Sequence, residues 1–157
     1  MVFRMTMTAG YQGFMPNALT AAKIAADAGD VPVGAVVISP EGAVLVVAGN
    51  RVQRDHDPTA HAEILAIREA TRKQGNQRLD GCDLWVTLEP CAMCAGAIAH
   101  ARIRRLYIGA LDDKSGGVFH GAKVFDHKQC HHRPDIYDGL MADASADMLK
   151  QFFASRR

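Results

Sequence analysis

Residues 84–101 have the sequence LWVTLEPCAMCAGAIAHA, and they give the clearest indication of the fold class. Its first five residues are typical of a buried strand, Glu89-Pro90 ends that strand, and the alanine-rich run from Cys91 to Ala101 predicts a helix. Strand-like sequence resumes at residues 105–110. A strand, a helix and a second strand in this order favour a layered α/β fold.

The rest of the chain extends this pattern in both directions. We predict further helices at residues 15–28, 60–74 and 142–155, and a hairpin of strands at residues 34–38 and 44–47. Residues 111–135 are expected to form a long loop with a short strand or helix inside it, and residues 1–13 a loose terminus. The chain is therefore expected to be one domain over residues 1–157. Its predicted fold is a three-layer α/β/α sandwich, with helices on both faces of one mixed sheet of about five strands.

Three residues offer metal ligands at a spacing that suits one ion. Cys91 and Cys94 are separated by two residues at a helix start, where both thiolates can face the same ion and the helix N-terminus favours their charged form. His61 lies at the start of another predicted helix, which a neighbouring strand can bring to the same edge of the sheet. Three protein ligands leave the fourth position of a tetrahedral zinc ion open for water, as in catalytic zinc sites.

Glu63 lies two residues after His61, and we predict that it transfers protons and does not bind the metal. Two other interpretations remain open for these residues. The Cys91–Cys94 pair could be a redox motif. A structural zinc site would need a fourth protein ligand, for which Cys130, His131 and His132 are candidates.

Composition narrows the class of protein without choosing its partner. The 157 residues are 48% hydrophobic and 22% charged, which is typical of a folded globular chain. No apolar run is long enough to predict a membrane span, and no secretory signal is evident, so a cytoplasmic protein is expected. The net charge of +1 neither requires nor excludes a nucleic-acid partner. Local cationic residues would have to supply that electrostatic attraction, and candidates are Arg102, Arg104, Arg105, Lys114, Lys123, Lys128 and the C-terminal Arg156-Arg157.

Taken together, these stretches resemble the TadA-type bacterial tRNA adenosine deaminases of the cytidine and nucleobase deaminase superfamily. The arrangement H-x-E…P-C-x-x-C is the signature of zinc deaminases that act on nucleobases. The context DPTAHAE at residues 57–63 and the loop DDKSG at residues 112–116 are similar to the TadA type. The resemblance extends from about Ala18 to the C-terminus.

The resemblance implies a function and a set of site residues. The implied reaction is hydrolytic deamination of adenosine to inosine at the wobble position of an arginine tRNA, on a base flipped out of the anticodon arm. One Zn²⁺ per chain, held by His61, Cys91 and Cys94, would activate water, and Glu63 would shuttle protons. The remaining residues implied to contact the substrate are Asn50, the Ala62 backbone amide, Asp112 and Lys114. A cytidine deaminase-like fold and a homodimer are implied as well. The apolar residues 93–98 could form the contact between subunits, or they could equally be part of the ordinary core.

Two competing functions remain. A small-molecule purine or nucleoside deaminase, acting on guanine, adenosine or cytidine, could use the same fold and zinc motif. The cationic loop and the C-terminal helix favour RNA over a free base, which has no phosphates to neutralise. The other alternative is a non-enzymatic module that is stabilised by zinc or is redox-active.

Overall fold

The structure is a computed structural model that describes residues 4–7 and 10–156, and its centre is one mixed sheet of six strands. The strands are β1 (Arg4–Thr6), β2 (Gly34–Ile38), β3 (Val44–Gly49), β4 (Asp83–Leu88), β5 (Arg105–Ala110) and β6 (Asp135–Asp138). Their order across the sheet is β1-β6-β5-β4-β2-β3. The pairs β1–β6, β6–β5 and β5–β4 are parallel, whereas β2 is antiparallel to both β4 and β3.

Helices cover both faces of this sheet, which confirms the three-layer sandwich. They are α1 (Met15–Asp27), α2 (Val52–Asp55), α3 (Ala62–Gln74), α4 (Ala92–Ala101) and α5 (Ala142–Ala154), with a short 3-10 helix at Val124–Asp126. The first layer is formed by α1 and α5, and the third by α3 and α4. None of the helices among the described residues has the length and apolarity needed to cross a membrane.

The central strands are apolar on both sides because both faces are covered. In β2, Val36 and Ile38 pack in the cluster that contains α1, whereas Ala35 and Val37 pack in the cluster that contains α3 and α4. The start of β2 approaches α1 so closely that a methyl group at Gly34 would overlap the Ala18 carbonyl oxygen. This contact fixes the first layer against the sheet.

The expectation of a loose terminus over residues 1–13 is wrong for Arg4–Thr6, which forms the sixth strand. This strand pairs in parallel with β6, and the Arg4 guanidinium makes two hydrogen bonds, of 3.0 and 2.7 Å, to the buried carboxylate of Asp138. Three residues are too few to show a strand period, and their partner lies more than 130 residues away in sequence. Residues 1–3 and 8–9 lie outside the described part of the chain.

Candidate active site and metal centre

Two helix starts meet at the edge of the sheet where β4 ends. His61 is the residue before the first turn of α3, Cys91 is the residue before the first turn of α4, and both have an extended backbone. The two helices pack side by side on one face. Both side chains therefore lie at helix N-termini, where the free backbone N–H groups favour negative charge and thiolates.

His61, Cys91 and Cys94 form a compact group of possible metal ligands. The His61 Nδ1 atom is 3.6 Å from Cys91 Sγ and 3.5 Å from Cys94 Sγ, and the three ligand atoms lie within 4.8 Å of one another. A tetrahedral zinc ion with ordinary Zn–N and Zn–S bonds requires N···S separations of about 3.6 Å. Both N···S separations therefore match those of a zinc site, and the three side chains would leave one position of a tetrahedral ion for water.

The candidates for a fourth protein ligand lie elsewhere. Cys130 donates to the His132 carbonyl oxygen at 3.1 Å, His132 Nε2 is 2.6 Å from the Ile103 carbonyl oxygen, and His131 is exposed. None of them belongs to the group around His61, which is the one group of three such ligands found among residues 4–7 and 10–156. This arrangement favours a catalytic site over a closed structural site.

The two thiol groups of the centre are hydrogen-bonded to each other and differ in pKa. A hydrogen bond from the Cys94 thiol lowers the pKa of Cys91 to about 4, and His61 contributes a second hydrogen bond. The pKa of Cys94 is raised because it donates to the Cys91 thiolate, and burial raises it further. A divalent cation between the two sulfur atoms would neutralise their repulsion and allow both to bind as thiolates.

Glu63 is buried in the first turn of α3, beside the metal ligands. Burial disfavours its charged form and raises its pKa to about 7, although His61 and a backbone hydrogen bond act in the opposite direction. A carboxyl group with a pKa near neutrality can both accept and return a proton at physiological pH. This property suits the predicted role in proton transfer.

A pocket of about 280 Å³ opens above these groups. Its polar lining residues are Asp30, Asn50, Gln53, His61, Glu63, Glu89, Cys91, Asp112 and Ser115. Of the predicted substrate contacts, Asn50 and Asp112 line this pocket. Lys114 does not line it and lies exposed on the adjacent loop.

Asn50 and the Ala62 amide are hydrogen-bonded to each other. The Ala62 N–H donates to Asn50 Oδ1 at 2.8 Å, in a buried bond that joins the end of β3 to the start of α3. The amide that the resemblance implies as a base contact thus donates to Asn50 in this structure. The bond leaves the NH₂ group of Asn50 to serve as a donor.

Comparison with known proteins identifies the family. A family model described as the cytidine and deoxycytidylate deaminase zinc-binding region matches residues 9–110. The tRNA-specific adenosine deaminase of Agrobacterium fabrum is 51% identical over 144 residues, which cover 92% of this chain and 94% of that protein. The chain therefore belongs to the family of cytidine and deoxycytidylate deaminases with a zinc-binding region. The tRNA-specific adenosine deaminase of Rickettsia bellii is 44% identical, with coverage of 91% and 99%.

Solved structures of deaminases share the fold. One, from studies of A-to-I editing by tRNA:A34 deaminases at the wobble position of transfer RNA, has a TM-score of 0.85 and 51% identity over 87% of this chain and 98% of its own. A guanine deaminase from Nitrosomonas europaea has a TM-score of 0.77 and 26% identity, covering 89% and 82%. The cofactor of the present deaminase is zinc, which His61, Cys91 and Cys94 are positioned to bind.

Glu89 also belongs to the deaminase site, although the sequence did not predict a role for it. Its buried carboxylate accepts hydrogen bonds from the backbone N–H groups of Asp112, Val118, Phe119 and His120, at 3.0–3.2 Å, and lies 2.8 Å from His120 Nδ1. Burial alone would raise the pKa of Glu89, but these hydrogen bonds outweigh it and hold the pKa below its usual value. Through these hydrogen bonds, Glu89 holds the loop of residues 112–120 against the start of α4. The signal in the sequence is an acidic residue between a buried strand and Pro90-Cys91.

Asp112 and Lys114 belong to this fastened loop. Asp112 Oδ1 accepts hydrogen bonds from the backbone N–H groups of Lys114 and Ser115, at 3.0 Å each, so that carboxylate shapes its own turn. A methyl group at Gly116 would overlap the Glu89 carboxylate, which shows how closely the loop approaches. Asp112 and Ser115 thereby become part of the pocket wall.

Three of the candidate cationic residues, Arg102, Arg104 and Arg105, do not line the pocket of the deaminase site. Arg104, which directly precedes β5, makes two hydrogen bonds of 3.0 Å to Asp83, the first residue of β4. The pocket lies at the opposite ends of these strands. Arg102 donates to the His131 carbonyl oxygen. Arg104 is thus already neutralised by an acidic partner, and none of the three side chains reaches the pocket.

Proposed function

We propose that this deaminase converts adenosine to inosine at the wobble position of a tRNA, with an arginine tRNA as the first substrate to test. The observation that carries the proposal is the 51% identity, over 92% of the chain, to a tRNA-specific adenosine deaminase. The ligand group and the adjacent buried carboxyl group supply the chemistry that this reaction requires. The overall change adds water to adenosine and releases ammonia.

The residues of the helix starts have distinct roles in this reaction. His61, Cys91 and Cys94 would hold the zinc ion, which would act as a Lewis acid and lower the pKa of a water molecule. Glu63 accepts the proton of the attacking water, because its carboxylate lies beside the ligands in a buried setting. It then donates this proton to N1 of the ring. The proton that remains on the added hydroxyl group passes through Glu63 to the amino group, so the C6–N bond breaks and ammonia leaves as the C6 carbonyl forms. Burial raises the pKa of Glu63 in the absence of metal, and this setting favours return of the proton after it has been accepted.

The other side of the pocket holds the base. A stacked base cannot reach the ligand group at the bottom of a pocket, so the nucleotide is expected to leave the stack. The NH₂ group of Asn50 then donates to an acceptor nitrogen of the ring. The Ala62 amide contributes by holding the Asn50 carbonyl group, and it contacts the base itself only if that bond is exchanged. Asp112 shapes the wall, and the exposed Lys114 contacts phosphate.

The main rival function is deamination of a free purine, the reaction for which the guanine deaminase from Nitrosomonas europaea is named. The test incubates zinc-loaded wild type separately with four substrates: an arginine tRNA anticodon stem-loop, adenosine, cytidine and guanine. The Glu63→Gln variant is incubated with the same four substrates. The proposal predicts inosine in the stem-loop, made by the wild type and not by the variant. An untouched stem-loop together with turnover of guanine or a nucleoside would overturn it.

We further propose that residues 1–157 form one deaminase domain that acts as a homodimer in the cytoplasm, where its tRNA substrate is found. Support for the dimer comes from α4, where the Met93 side chain is 38% exposed. A groove of about 300 Å³ lies farther along the same helix, between α4 and the segment from Ala122 to His131. Sizing chromatography at micromolar concentration is expected to give a dimer, and a monomer alone would contradict this part.

A further inference from the structure

Asp30 is a buried carboxylate beside the pocket that the proposed reaction does not use. Its side chain is 1% exposed and lies between α1 and β2. It accepts hydrogen bonds from the Gln53 N–H at 2.7 Å and from the Arg54 Nε at 3.1 Å, with a longer contact of 3.4 Å to the Arg54 N–H. These bonds hold the start of α2, a helix of only four residues that cannot be stable alone.

Arg54 extends this network to the proposed base contact. Its Nη2 atom donates to the Asn50 carbonyl oxygen at 2.9 Å, while its Nε atom bonds to Asp30. The Asn50 N–H donates to the Val33 carbonyl oxygen at 3.1 Å. With the bond from Ala62 to its side chain, Asn50 is thus fixed at its amide, its carbonyl and its side-chain oxygen.

We propose that Asp30 is a positioning residue for base recognition, acting through Arg54 on Asn50. Arg54 is planar and presents several donors, so it can bond the carboxylate and the carbonyl oxygen at once. If the Asp30 carboxylate is removed, Arg54 loses its charged partner and α2 loses its anchor. The Asn50 backbone then shifts and its NH₂ group loses its direction toward the base. The inference rests on the proposed function of Asn50 as a base contact.

The first test is the kinetics of Asp30→Asn on the stem-loop. Charge-assisted hydrogen bonds contribute enough that we expect KM to rise about tenfold, with a smaller change in kcat. One zinc per chain should be retained, because Asp30 does not touch the ligands. The matched control is Asp27→Asn, which removes the same charge from an exposed ion pair with Lys23. Its kinetics should equal those of the wild type.

A double-mutant cycle separates positioning from general destabilisation. If Asp30 acts through Asn50, then Asp30→Asn should cause less than about a twofold further loss in an Asn50→Ala background. Arg54→Lys provides a second variant, because an ammonium group cannot bridge both partners as the guanidinium does, and it should also raise KM. This variant carries the same test if Asp30→Asn does not fold.

Three results would overturn the inference. The first is a wild-type KM in Asp30→Asn, or in Arg54→Lys if only that variant folds. The second is a loss from Asp30→Asn in the Asn50→Ala background that equals its loss in the wild-type background. The third is wild-type kinetics of Asn50→Ala itself. Failure of the proposed function gives a different result, since the wild-type enzyme would then leave the stem-loop unchanged.

Discussion

The two sides of the pocket are built in different ways. On the metal side, His61, Glu63, Cys91 and Cys94 all belong to the starts of two helices that pack against the sheet. The recognition side consists of connecting segments that carry Asn50, Asp112 and Ser115. Two buried carboxylates hold these segments, Asp30 for α2 and Glu89 for the loop from Asp112 to His120.

This difference separates chemistry from recognition. The metal side is positioned by regular backbone structure, so single substitutions there should remove zinc or proton transfer without moving the loops. The recognition side depends on a few hydrogen bonds to charged groups, each of which contributes more than a neutral one. Substitutions of its two carboxylates should weaken substrate binding while the zinc content stays the same.

The largest effect is expected for the metal ligands. Cys91→Ala should bind little zinc and show no measurable deamination, because two remaining ligands cannot hold the ion in a tetrahedral site. Elemental analysis and a deamination assay measure both properties. Cys130→Ala is the matched control, since this thiol lies outside the ligand group, and it should retain one zinc per chain. Full zinc occupancy in Cys91→Ala would contradict the assignment.

The next effect concerns the buried carboxyl group on the metal side. In zinc-free protein, burial raises the pKa of Glu63 from 4.5 to about 7. The carboxyl group therefore stays protonated to a higher pH in the folded state than in the unfolded state. The stability that this proton gives is full below about pH 4.5 and is lost as the pH rises to about 7. Wild type should therefore lose on the order of 3 kcal/mol relative to Glu63→Gln across this range. Denaturant unfolding at several pH values measures the difference, and parallel curves for the two proteins would contradict it.

A somewhat smaller effect is expected for the carboxylate of the recognition side. Glu89→Gln replaces one acceptor oxygen with an NH₂ group that faces backbone N–H donors or His120, which should cost about 2 kcal/mol of unfolding free energy. It should raise KM and expose residues 112–120 to proteases, with zinc retained. Glu69→Gln is the control, because that carboxylate pairs with Arg72 on the surface. Loss of zinc from Glu89→Gln would break the separation between the two sides.

The smallest effect is expected for the exposed cation of the loop. Lys114→Ala should weaken binding of the stem-loop by less than about tenfold and make its salt dependence shallower by about one counterion. The rate at saturating RNA should not change. Binding measured at several salt concentrations tests this, and an unchanged salt dependence would exclude a phosphate contact by Lys114.

The metal side was predictable from sequence. On the recognition side the resemblance named Asn50 and Asp112, which line the pocket, but not the two carboxylates that hold the segments carrying them. His61, Cys91 and Cys94 are identified by residue type and by their place at helix starts, which local sequence patterns reveal. The roles of Asp30 and Glu89 depend on backbone N–H groups 23 to 31 residues away in sequence. Local patterns contain no information about such partners, and the same holds for the pairing of β1 with β6.

The central claim is that the metal side performs the chemistry while the recognition side binds the base. Glu63→Gln on the anticodon stem-loop tests it most directly, with the single-turnover rate at saturating RNA and the binding affinity measured on one zinc-loaded sample. The account predicts a rate at least about 100-fold lower than that of the wild type, with affinity and zinc content unchanged. A wild-type rate, or an affinity that falls by the same factor as the rate, would contradict it.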